Sequence, residues 1–73
     1  MFMPNTYLIS YDLYKPRRDY DDLYKYLKSF PRWVHIFESI WFIKSNKEYE
    51  TISNEIENTV YPEDRISISR VYG

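Results

Sequence analysis

The chain has 73 residues, no cysteine and one histidine, and ten Lys and Arg against eleven Asp and Glu give a net charge of −1. Disulfides and thiolate zinc sites are therefore excluded. The charge balance argues against a domain held on nucleic acid by bulk positive potential, while leaving room for a local basic patch.

A chain of this length reads as one domain over 1–73, and such a domain buries only about 60% of the surface its unfolded form exposes. Nine Tyr, four Phe and two Trp can fill a small core and also supply an adhesive surface. A homodimer is the expected way to add buried area. No apolar run approaches the length of a membrane span. Met1-Phe2-Met3-Pro4 is too short for a signal peptide, so the expected location is cytoplasmic, with no membrane partner.

The first strand is expected from Thr6 to Asp12. Period-two alternation puts Tyr7, Ile9 and Tyr11 on one face and Leu8, Ser10 and Asp12 on the other. A basic turn follows, and Pro16 marks the end of regular strand. Asp19 then suits the N-cap of a helix over Tyr20 to Phe30, with Asp21 and Asp22 in its first turn and Lys25 and Lys28 near its end. Tyr20, Leu23, Tyr24 and Leu27 form its apolar stripe, and Pro31 stops it.

Trp33 to Phe37 and Ile40 to Lys44 read as two extended segments rich in aromatic and β-branched residues. Glu38-Ser39 is the polar interruption between them, expected as a tight turn or bulge. Ser45 or Asn46 can cap a second helix from Lys47 to Asn58, with Tyr49, Ile52, Ile56 and Val60 on its stripe. Its charged residues, Glu55 among them, are expected to face water. After Tyr61-Pro62-Glu63-Asp64, Arg65 to Tyr72 alternates as a last strand.

The order β-α-β-β-α-β predicts an α/β (α+β) ferredoxin-like sandwich. Two right-handed crossovers and one hairpin place both helices on one face of a four-stranded antiparallel sheet, in strand order 4-1-3-2. The other sheet face is left open, which favours self-association.

Three segments carry a resemblance: Tyr7-Leu8-Ile9-Ser10-Tyr11-Asp12-Leu13, then Trp33 to Trp41, then Glu63-Asp64-Arg65-Ile66-Ser67-Ile68. Together they resemble the CRISPR-associated Cas2 proteins, and still more a compact Cas2-like group often labelled the SinR family. That label is distinct from the helix-turn-helix repressor of the same name. The resemblance implies a ferredoxin-like homodimer in which the Asp ending the first strand, Asp12 here, meets its twin across a two-fold axis and can bind a divalent metal. Some Cas2 proteins act as metal-dependent nucleases and others as structural bridges in spacer acquisition. The slightly acidic balance of this chain departs from a DNA-binding bridge.

Asp12 is the leading candidate for a catalytic group or a metal ligand. Magnesium or manganese takes hard oxygen ligands and retains waters, so symmetry-related carboxylates can hold one ion. The ion would lower the pKa of a bound water and neutralise charge developing on a phosphate. The fold brings Glu38 and Ser39 near the end of the first strand, which makes Glu38 a second metal candidate. The competing reading is a strand-end acid that caps its own loop.

Lys15, Arg17 and Arg18, just before a helix N-terminus, are the candidate phosphate-binding cluster for DNA, RNA or a nucleotide. The alternative is a solvated turn offset by Asp19, Asp21 and Asp22. His35, between Val34 and Ile36, reads as structural or interfacial rather than as a general base. Trp33, Phe37, Trp41 and Phe42 suit core and dimer packing better than base stacking, because a stacking platform needs a positive groove. The functional expectation is a Cas2-like homodimer acting as a non-catalytic interaction or nucleic-acid-associated module. A metal-dependent endonuclease and a small-nucleotide-binding dimer are the alternatives.

Overall fold

A computed structural model of the chain describes residues 4–13 and 20–72. Its elements are β1 (Asn5–Asp12), α1 (Asp21–Lys28), β2 (Arg32–Phe37), β3 (Ile40–Ser45), α2 (Tyr49–Glu57) and β4 (Arg65–Val71). The four strands form one antiparallel sheet in the order β2-β3-β1-β4. Both helices lie on one face, giving the ferredoxin-like sandwich that the element order predicts.

Alternation along β1 decides which face is which. Tyr7, Ile9 and Tyr11 are buried, and their partners on β3 carry Trp41 and Ile43 into the same layer. Leu23 and Leu27 of α1 and Ile52 and Ile56 of α2 close that layer from above. The helices are short, so burial of these i, i+4 pairs rather than intrinsic propensity holds them.

Tyr24 and Tyr26 are half-buried against the same core. Tyr26 of α1 donates its hydroxyl to Glu55 of α2 at 3.1 Å, and Lys47 Nζ lies 2.7 Å from the same carboxylate oxygen. Tyr20 donates to Asp64 Oδ1 at 2.8 Å and so ties the entry of α1 to the turn before β4.

Several expectations move at the element ends. The helix expected from Lys47 begins at Tyr49, because Glu48 before it has extended backbone. Ser45 is not its cap; its hydroxyl accepts from the Lys47 amide at 2.9 Å and closes the turn after β3. Tyr49 is exposed rather than part of the buried stripe; from the first turn of α2 it lines an open groove with Ile66 and Ile68 of β4. Glu55 meets water as expected, and from there it also accepts from Tyr26 and pairs with Lys47. The proposed cap Asp19 and the strand stop Pro16 lie outside the described residues.

Glu38 and Ser39 form the β2–β3 turn, and a bulge falls between His35 and Phe37. Its effect is to set Phe37 opposite Ile40, hence on the face away from the helices. Among the described residues, no helix is long and apolar enough to cross a membrane.

Candidate functional site

β1 delivers Asp12 to the end of the sheet where the β2–β3 turn also arrives. Two contacts fix that meeting. The Tyr11 amide donates to the Ser39 carbonyl at 3.2 Å, and the Tyr11 hydroxyl donates to the Glu38 carbonyl at 2.8 Å. Trp41 Nε1–H donates to the Tyr11 oxygen at 2.9 Å, so the phenol is satisfied as donor and as acceptor.

His35 Nε2 lies 3.1 Å from the same Glu38 carbonyl. A carbonyl only accepts, so this nitrogen carries the proton. The imidazole also stacks on Trp41, with centroids 3.9 Å apart and planes 13° from parallel. His35 therefore braces the turn, as a structural histidine would. Burial raises the Tyr11 phenol from 10.0 to about 12; the Trp41 hydrogen bond opposes the rise and Tyr24 adds to it.

Around this brace lies a cavity of about 220 Å³ lined by Tyr11, Asp12, Leu13, Tyr24, Glu38 and Ser39. The expected neighbours Asp12, Glu38 and Ser39 thus share one small space. On its other flank Asp12, which is exposed, stands opposite Arg65 in the β1–β4 register. It borders a second cavity of about 240 Å³ with Ser10, Arg65 and Ser67.

The donor set at this end is two carboxylates and the hydroxyls around them. Among the described residues, no group of three or more His, Cys, Asp or Glu is placed to hold a metal ion. Lys15, Arg17 and Arg18, the expected phosphate contacts, lie outside the described residues.

The aromatic expectations divide. Trp41 is fully buried, whereas Trp33 and Phe37 are exposed and Phe42 is half-buried on the open face. Sequence reading did not anticipate Tyr11 as the organiser of this corner or Tyr24 as a wall of its cavity. The available signal was an aromatic residue next to the strand-end acid and facing the core. Comparison with known proteins found no matching family model, curated protein or solved structure.

Proposed function

We propose that this chain is a homodimeric, non-catalytic interaction module of Cas2-like type that self-associates through the turn end of its open sheet face. The observation that carries the reading is the apolar surface at the turn end of that face. The bulge turns Phe37 out beside Ile40, with Ile36 continuing the patch, and Phe37 remains 66% exposed. A patch left uncovered by both helices of so small a domain is an interface rather than a core.

Sedimentation equilibrium tests it. Wild type should sediment at twice the 9.1 kDa chain mass at micromolar concentration, and Phe37→Asp should sediment as a monomer with its far-UV circular dichroism unchanged. A wild-type monomer throughout that range would overturn the proposal.

The shared cavity of Asp12 and Glu38 favours a second reading, in which these carboxylates hold Mg²⁺ or Mn²⁺ and support metal-dependent phosphodiester hydrolysis of DNA or RNA. Asp12→Asn is nearly isosteric, so it tests ligation and charge rather than volume. Under this reading the substitution abolishes calorimetric metal binding and cleavage while leaving the dimer intact. Cleavage that survives in pure Asp12→Asn protein removes Asp12 from the chemistry.

A further inference from the structure

At the opposite end of the open face, Arg32 of β2 and Lys44 of β3 stand directly across from one another, and Thr6 of β1 stands across from Lys44. Directly opposed residues share a face, and Trp33, Ile43 and Tyr7 point to the other side, so this row looks away from the helices. Like charges in such a pair repel. Both side chains are exposed, and among the described residues neither pairs with a carboxylate. An anion between them would relieve the repulsion.

The row borders a groove of about 650 Å³, within the size range of small-molecule sites. Beyond the cations its walls are Val34, 58% exposed, and the half-buried ring of Phe42, with Trp33 at the margin.

We infer that this groove binds a free nucleotide, its phosphates held by Arg32 and Lys44 and its planar base laid on Phe42 and Val34. Arg32 offers a fork of N–H donors and Lys44 a point charge, the two usual ways of holding phosphate oxygens. Thr6 adds a hydroxyl at the same row. A polynucleotide fits less well. A strand continuing along the face would reach Asp12 and Glu38 at the far end, and the chain as a whole carries a charge of −1. The groove shares the open face with the proposed dimer contact but uses none of the residues of the apolar patch at the turn end, so ADP binding and self-association are read separately.

The test titrates wild-type protein with ADP, adenosine, inorganic pyrophosphate and an oligothymidylate, read by calorimetry and by tryptophan emission from Trp33. ADP should bind at one site per chain, with adenosine and pyrophosphate each at least tenfold weaker. Arg32→Gln and Lys44→Gln should each weaken ADP binding at least tenfold with an unchanged melting temperature, and Phe37→Asp should leave it unaltered. The inference is overturned if ADP does not bind at millimolar concentration, or if the oligothymidylate binds tighter than ADP. It is equally overturned if the two substitutions change only the sedimentation of the protein, because the cations are then contacts between copies.

Discussion

On the helix side of the sheet, Tyr7, Tyr11 and Trp41 are buried together with their polar atoms in hydrogen bonds, and no buried side-chain nitrogen or oxygen among the described residues lacks a partner. On the opposite side, the same strands expose Val34 and Phe37 at one edge and set Ser10, Ser67 and Ser69 in a hydroxyl row at the other. The first face has resolved its chemistry internally. The second holds apolar area, opposed cations and a strand-end acid that the fold itself does not consume. Stability belongs to the closed face, the proposals above assign recognition to the open one, and substitutions on the two faces should separate those properties.

The largest expected effect comes from Trp41→Ala. It removes a fully buried indole that packs on Tyr24 and His35 and donates to Tyr11. The expected loss is about 3–5 kcal/mol of folding stability, enough to unfold a marginal domain of this size. Phe37→Ala on the other face should move monomer stability by less than about 0.5 kcal/mol while weakening self-association. Urea unfolding of both variants checks the contrast, and comparable losses would show that the open face also supports the fold.

Alkaline pH probes the closed face without a mutation. The Tyr11 phenol is raised from 10.0 to about 12 by burial. Between those values the folded protein keeps a proton that the unfolded chain releases. The associated stability is complete below pH 10 and is lost as pH climbs through 12. Its size is on the order of 2 kcal/mol. Tyr26 is also raised, by burial first and then by its hydrogen bond to Glu55, and acts in the same direction. Urea midpoints at pH 9 and pH 11.5 should differ accordingly. Tyr11→Phe should flatten part of that slope. At neutral pH it should cost about 1–3 kcal/mol, because Trp41 Nε1–H loses its acceptor.

What the sequence disclosed follows the same division. Alternation along β1 and the stripes of Leu23 and Leu27 and of Ile52 and Ile56 are periodic signals, and burial on the helix side obeys them. The strand order follows from chirality and connection length, which apply to any chain with this element order. The meeting of Asp12 with Glu38 and Ser39 was legible for that reason, since it depends on topology alone. The Tyr11–Glu38–His35 brace was not, because it requires the carbonyl direction at a bulged turn. Nor was the opposition of Arg32 and Lys44, which depends on register across a hairpin whose turn lacks Gly or Asn to announce its type. The start of α2 shifted from Lys47 to Tyr49 because Glu48 keeps an extended backbone and Ser45 closes the turn before it.

The smallest expected effect lies at the Glu55 junction, where the closed face meets solvent. The Lys47 hydrogen bond holds the Glu55 carboxyl below its ordinary 4.5, burial opposes the shift, and the Tyr26 hydroxyl reinforces it. A depressed folded value means that the associated stability is present above the ordinary value and disappears as pH falls through the folded one. Glu55→Gln keeps an oxygen to accept from Tyr26 while removing the charge that faces Lys47, so it isolates the ion pair from the hydrogen bond. Solvent and salt reach this pair, and exposed pairs contribute little. Thermal midpoints should place Glu55→Gln slightly below wild type at pH 7, with the gap narrowing as pH falls below the ordinary carboxylate range and in 1 M salt. A gap that persists in 1 M salt would mean that the acceptor geometry for Tyr26, rather than the charge, joins the two helices.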